Sequence, residues 1–414
     1  MSNASLIIRL MTDGQLLSKI KDLYRRNHRE MEGNSYTIPS ADTYPYQWYW
    51  DSCFAAITLS YFDVPRAKAE LRSLTSRQFE NGMIPHIIYW QHVDNLPQLD
   101  MRWGKRRTSS ITQPPFLAEA VNKIYARDGD IEFVREMLPH IHRLHQFLYR
   151  QRDPRKSGLV GIINPDESGE DTSPRFDGAL RLGNLQTFEE NYGARLELVQ
   201  DWREARYVVK QRMDLKHWVR DVPFNAVLVE SLNLTARLGV LAGDNRLSDW
   251  SSAKADHTAH VMKGRLKDDN GYFWATVDYG DQERKIIVRT WALFASLYAG
   301  LNTHDESEEL VRILLDLDDF STPYGVPTVS LTDDSFNLDS VWPWPNWRGP
   351  IWFVPHWMIC KGLRRYGYNE QADKLKLQSR SLIEKSGFRE FYNPFSGEGY
   401  GAKDFIWGGL LLDM

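Results

Sequence analysis

The sequence predicts an all-α fold, a closed double-layered toroid of helical hairpins, and three observations predict it. About a dozen segments of the 414-residue chain carry apolar residues at helical spacing. Strand-like segments are short and confined to connectors. The connectors alternate between tight turns, such as Phe62-Asp63-Val64-Pro65 and Gly367-Tyr368-Asn369, and long aromatic loops. Short turns on one side and elaborated loops on the other suit helical pairs set round a ring.

Taken in order, Leu16, Leu17, Ile20, Leu23 and Tyr24 mark an amphipathic helix from Asp13 to about Met31, capped by Asp13. Residues 33–49 read as an irregular polar-aromatic loop. Trp50 to Tyr61 and Pro65 to about Glu80 form the first helical hairpin, and the connector Asn81-Gly82-Met83-Ile84-Pro85-His86 leads into a second aromatic loop through Tyr89 and Trp90. Gln113-Pro114-Pro115 introduces the pair Phe116 to Tyr125 and Ile131 to Arg150. After an acidic loop, helices are expected near Asn184 to Val208, Val222 to Ala242 and Ser248 to Lys267. Later ones fall near Ile287 to Gly300, Asp305 to Leu317, Pro350 to Tyr366, Asn369 to Ser386, and Asp404 to the end. No Gly/Ser-rich or Pro-rich linker divides the chain, so residues 1–414 are expected to form a single domain.

Composition narrows the function. A formal net charge of -4 gives no reason to expect nucleic acid or an anionic membrane as partner. No apolar run approaches the ~18 residues of a membrane span, and Met1 to Arg9 has too short an apolar core for a signal peptide. Cys53 and Cys360 are the only cysteines and sit among apolar and aromatic residues. They read as buried thiols, which favours a reducing compartment and hence the cytoplasm. Several of the 15 Trp lie in Pro/Gly-rich stretches, where binding residues concentrate.

The stretch 164–177, Asn-Pro-Asp-Glu-Ser-Gly-Glu-Asp-Thr-Ser-Pro-Arg-Phe-Asp, holds five carboxylates. Like charges this close raise the pKa of at least one acid, and an acid still protonated near neutrality can donate to a leaving group. A solvated acidic turn is the alternative. Elsewhere, Tyr44-Pro45-Tyr46-Gln47-Trp48-Tyr49-Trp50-Asp51 offers flat rings for the apolar face of a sugar, with Gln47 and Asp51 to bond its hydroxyls. Against that stands Asp51 as a helix cap. The loops carrying Tyr89 and Gln113 read either as binding loops or as simple packing. In 342–352, Arg348 stands among four Trp, either stacked between rings or as a fixed donor to substrate or to a carboxylate. Near the end, Glu390 has aromatic neighbours and is the stronger candidate than Glu398, whose flanking glycines suggest an exposed turn.

Two acids from distant parts of the chain, in a ring walled by sugar-stacking aromatics, describe glycoside hydrolysis. There is no phosphate-cradling loop, no metal-ligand spacing and no Gly-x-Ser-x-Gly elbow, so neither cofactor nor metal is expected. The histidines are read as structural.

The motifs Gln-Trp-x-Trp-Asp-Ser-Cys-Phe, Glu-Ser-Gly-x-Asp-x-Ser-Pro-Arg-Phe-Asp, Trp-Arg-Gly-Pro-x-Trp and Glu-x-Tyr-Asn-Pro resemble, in this order, those of glycoside hydrolase family 63. The similarity runs from Tyr36 to Trp407 and is greatest to its bacterial mannosylglycerate and glucosylglycerate hydrolases, more distant to trehalases. The resemblance implies an (α/α)6 barrel and an inverting glycosidase acting on a small α-glucoside or α-mannoside. Asp171 is then the general acid and Glu390 the general base, their carboxyl groups about 6.5–9.5 Å apart. Sugar-binding positions fall on Tyr44, Trp48, Trp50, Asp51, Tyr89, Gln113, Gly169, Arg348 and Trp352, with Arg203 for an aglycone carboxylate. Alternatives are an oligosaccharide α-glucosidase, a trehalase-like enzyme, or a carbohydrate-binding barrel without catalysis.

Three positions depart from the resemblance. Asp166 stands where Trp is expected, Glu170 where an apolar residue is, and Asn346 where Tyr is. Two added charges beside Asp171 would repel a glycerate carboxylate by about 2–3 kcal/mol each at ~6 Å and an effective dielectric near ~20. The expectation is an aglycone that need not be anionic.

Overall fold

The computed structural model describes residues 11–90, 107–183, 186–206, 218–279, 282–339 and 346–414. Among them, six helical segments make an inner ring. Tyr49–Leu59 touches Leu117–Asp128, which touches Val222–Ala242. The ring continues through the 3-10 turn Trp291–Phe294 and its extension Ala295–Tyr298 to Phe353–Arg365, then to the 3-10 segment Ile406–Leu412. That last segment packs on Tyr49–Leu59 and closes the circle, so the fold is an (α/α)6 barrel. Every residue of Tyr49–Leu59 is buried, as expected of a helix apolar on all sides.

Six outer helices alternate with these: Asp13–Arg26, Val64–Thr75, Ile131–Gln151, Asn245–Arg265, His304–Leu315 and Asn369–Ser386. Each buries one stripe. In the first it is Leu16, Ile20, Leu23 and Tyr24, with polar residues facing out. Local chemistry sets the ends. Asp221 caps Val222–Ala242 with Pro223 in its first turn, and left-handed Gly243 stops it. Thr303 and Glu306 form a capping box at His304–Leu315. One hydrophobic core runs from Leu16 to Met414.

Some boundaries differ from those the sequence suggests. The first helix ends at Arg26, not Met31, and its cap is Thr12 in a capping box with Gln15, not Asp13. His28–Met31 pairs instead with Asn34–Thr37 in a hairpin turning at Glu32 and Gly33, both at positive φ. The turn after Tyr24 is polar throughout, Arg25-Arg26-Asn27-His28, so the apolar stripe is interrupted where the pairing begins. Residues 287–289 carry no regular structure, and helical structure begins only at Trp291 behind the Thr290 cap. The terminal segment is a 3-10 helix over Ile406–Leu412. Of the segment expected at Asn184 to Val208, Phe188–Glu204 is helical, while Asn184 and 207–208 lie outside the described residues, as do Met1 to Arg9, Trp342 and Trp344.

The connectors entering inner segments are long and those leaving them short. The long ones all open at one end of the ring, and that end carries the site.

Candidate active site

A cavity of about 100 Å³ opens there, lined by Trp48, Trp50, Asp51, His86, Gln113, Asp166, Asp171, Trp347, Trp352, Glu390, Trp407 and, between them, Pro39, Tyr44, Gly169 and Phe405. Asp171 and Glu390 thus meet from connectors more than two hundred residues apart in sequence.

Asp171 follows a 3-10 turn, Pro165–Ser168, started by Asn164, whose Oδ1 accepts the Asp166 N–H at 3.0 Å. Gly169 leaves this turn at φ +77°, and its backbone lies against the Trp50 ring: a Cβ there would sit 2.0 Å from Trp50 Cη2. Only glycine fits both demands. The rest of the loop is not a solvated acidic turn, because an arginine meets each of its carboxylates. Glu167 receives Arg152 at 2.7 Å, Glu170 is bidentate with Arg175, Asp166 and Asp171 share Arg195 at 2.7 and 3.0 Å, and Asp177 binds Arg348.

These pairs decide several expectations. Glu170 is buried and also accepts Trp291 Nε1–H at 2.8 Å, so its charge does not face the cavity and the repulsion assigned to it does not act there. Asp166 does line the cavity, with Arg195 against it. Arg348 does not line it. Its guanidinium binds Asp177, fastening the tryptophan-rich connector to the acidic loop. Asn346 is structural too, donating to the Asn337 and Leu338 carbonyls at 3.0 and 3.1 Å. Arg203 is half-buried on the helix Phe188–Glu204 and is not among the lining residues; Arg195, two turns earlier, is the cation beside Asp171. Tyr89 packs edge-on against Tyr46, behind Trp48, rather than on the cavity wall.

Glu390 sits on the strand Arg389–Tyr392, paired with Gly399–Lys403. The register shifts between Arg389 and Phe391, and opposite Glu390 stand Gly401 and Ala402, with Gly401 at φ +66°. This bulge aims the side chain inward. A Cβ on Gly401 would lie 2.4 Å from Glu390 Oε2. The carboxylate accepts Tyr44 Oη–H at 2.5 Å and the Ala402 N–H at 2.7 Å. Glu398 is exposed at the hairpin turn with Tyr400 Oη donating to it.

Asp51 is no cap, since the helix Tyr49–Leu59 has no side-chain cap. It accepts Trp407 Nε1–H at 2.6 Å on the cavity floor. Gln47 is buried among Ser52, Glu70, Ser73 and Trp90 and does not reach the cavity. Gln113 accepts the Trp50 N–H at 3.1 Å. Trp347 and Trp352 stack at 3.9 Å, and Trp352 lies on Phe391 at 5.2 Å, so the wall beside Glu390 is a column of parallel rings. The Trp347 N–H donates to Thr172 Oγ1 at 3.2 Å, joining that column to the residue after Asp171.

Burial pushes Asp171 up to about 6, Arg195 opposing the rise and Asp166 adding to it. Burial likewise pushes Glu390 up to about 7 against the hydrogen bonds from Tyr44 and Ala402, and Asp51 to about 7 against that from Trp407. Glu390 feels the charge of both Asp171 and Asp51, so the order of these values does not by itself divide acid from base. Neutral donors on both oxygens of Glu390 favour its carboxylate, and the Arg195 cation beside Asp171 favours that one. His86 is driven down to about 3 by burial and stays neutral.

His86, Phe405 and Trp407 lie outside the motifs, and Trp347 opens one of them without having been named as a binding position. His86 had one visible signal, a proline-flanked connector before an aromatic loop. Among the described residues no cluster of His, Cys, Asp and Glu could hold a metal ion, and no helix is long and apolar enough to cross a membrane. Cys53 and Cys360 are free and buried.

Residues 44–408 match the model of the mannosylglycerate hydrolase MGH1-like glycoside hydrolase domain. The chain is 32% identical over 432 residues to a mannosylglycerate hydrolase of Thermus thermophilus, across 95% of this chain and 98% of that one. It is 28% identical to a glucosylglycerate hydrolase of Mycolicibacterium hassiacum, across 96% of each. A crystal structure of a family 63 mannosylglycerate hydrolase from Thermus thermophilus, in complex with Tris and D-glycerate, matches with a TM-score of 0.87 at 30% identity, over 96% of this chain and all of that one. The chain is a glycosidase, and it belongs to the MGH1-like group of glycoside hydrolase family 63.

Proposed function

We propose that this glycosidase hydrolyses a small α-mannoside or α-glucoside with inversion, with mannosylglycerate and glucosylglycerate as the leading substrates. One observation carries the reading. Two buried carboxylates from separate connectors, Asp171 and Glu390, face one ring-walled cavity, and Glu390 has both oxygens held by neutral donors. Asp171 protonates the glycosidic oxygen, and Glu390 takes a proton from the attacking water. Trp48, Trp50 and Trp347 stack on the sugar, with Trp352 backing Trp347, while Asp51 and Gln113 orient its hydroxyls. Glu170 is paired with Arg175, and Asp166 with Arg195, so charge does not exclude a glycerate carboxylate. The free buried thiols support a cytoplasmic setting, and a main hydrophobic cluster that reaches from Leu16 to Met414 supports one catalytic unit over residues 1–414.

The test is a panel of mannosylglycerate, glucosylglycerate, glucosylglycerol, trehalose and short α-glucans. The expected result is turnover of a glycerate conjugate, abolished in Asp171→Asn with sugar binding kept. Binding without hydrolysis of any member would overturn the reading in favour of a non-catalytic barrel.

A further inference from the structure

The corner occupied by Asp171 holds a second, less obvious pair. Arg195 comes from the helix Phe188–Glu204, and its guanidinium is buried. One nitrogen, Nη1, lies 2.7 Å from Asp166 Oδ1 and 3.0 Å from Asp171 Oδ2. Its Nε donates to Asn191 Oδ1 at 2.9 Å, and Asn191 in turn donates to Gln186, which donates to Asp177. The guanidinium therefore cannot swing toward either acid alone. Asp166 is also only half satisfied: its Oδ2 is buried without a hydrogen-bond partner, on the cavity wall. A buried carboxylate with a free oxygen is costly unless its charge is used.

We propose that Asp166 and Arg195 are positioning residues that set the protonation of Asp171, Asp166 drawing the arginine's charge away from the acid before proton transfer and Arg195 stabilising the acid's conjugate base after it. This rests on the reading of Asp171 as general acid. With Asp171 protonated, Arg195 and Asp166 balance and the corner is neutral. Once the proton has passed to the leaving oxygen, Asp171 becomes a carboxylate that finds a cation at 3.0 Å already fixed in place. The other titratable groups round the cavity are Asp51 and Glu390, both acids, and His86 and Tyr44, both neutral. Tyr192, on the helix that carries Arg195, adds to the field on that arginine.

The two partners act on Asp171 in opposite directions, and that gives a signature loss of structure would not. The alkaline limb of kcat/KM reports the acid. Asp166→Asn leaves Arg195 to Asp171 alone and should move that limb down by about one pH unit. Arg195→Gln removes the cation and should move it up by a similar amount, and the double variant should return it toward the wild-type position. Shifts of the same sign, or no shift, would overturn the proposal, and Asp166→Asn alone decides the sign if the arginine variant fails to fold. An α-glycosyl fluoride separates this from the parent reading, because its leaving group needs no proton. If Asp171→Asn loses the fluoride as completely as the glycoside, Asp171 is not the acid. If it spares the fluoride while the two limbs fail to part, only the role of Asp166 and Arg195 falls.

Discussion

Tyr44 Oη donates to Glu390 Oε1 at 2.5 Å, across 346 positions of sequence. The bond joins the first long connector of the ring to the last, so closing the barrel and orienting Glu390 are one event. Burial and the nearby acids hold Tyr44 far above its usual pKa, so it remains a donor throughout the working range.

Tyr44→Phe removes one of the two neutral donors on Glu390. A hydrogen bond to a charged group contributes about 1.5–3 kcal/mol, so kcat should fall roughly 10- to 100-fold, and the acid limb of the pH-rate profile should move to higher pH. A fall in rate with the limb unmoved would detach Glu390 from the base role.

The cavity acids also make stability depend on pH. Asp51, Asp171 and Glu390 are all raised in the folded chain, so the folded state binds more protons than the unfolded one between about pH 4 and pH 7. Their contribution is complete below the unfolded values and is lost as pH rises through the folded ones. Glu390→Gln removes a group raised from 4.5 to about 7. Relative to wild type, it should gain stability at pH 8, by up to about 3 kcal/mol, and gain nothing at pH 4. Denaturant unfolding at the two pH values measures this, and equal effects at both would contradict it.

Gly169→Ala places a methyl group 2.0 Å from Trp50 Cη2 on a backbone at φ +77°. Left-handed strain and overpacking together should destabilise the chain by about 2–4 kcal/mol and raise KM, since the loop must lift from Trp50. Gly401→Ala meets Glu390 Oε2 instead, at 2.4 Å, and should lower kcat more than it raises KM. Steady-state kinetics beside a thermal melt distinguish the two.

The fold was legible where local chemistry sets the boundaries. The helices Val222–Ala242 and Asn369–Ser386 begin and end where the apolar pattern and flanking glycines place them. It was not legible where pairing competes with periodicity, as at His28–Met31. The candidate site was legible through its motif residues: Tyr44, Trp48, Trp50, Asp51, Gln113, Gly169, Asp171, Trp352 and Glu390 converge on one cavity. Arg348 and Gln47 look like ligand-facing groups in sequence, yet their partners Asp177 and Glu70 lie in other connectors or helices. Trp407 was hidden for the same reason, since its contact with Asp51 spans 356 positions. The bulge that aims Glu390 depends on a two-against-one strand register that no local pattern announces.

The direct test of the central claim is the anomer first released by the wild-type enzyme from an α-linked substrate, followed by proton NMR before mutarotation. Asp171 and Glu390 acting as acid and base on opposite faces of the sugar predict the β-anomer. Release of the α-anomer would mean a covalent intermediate and would contradict the account.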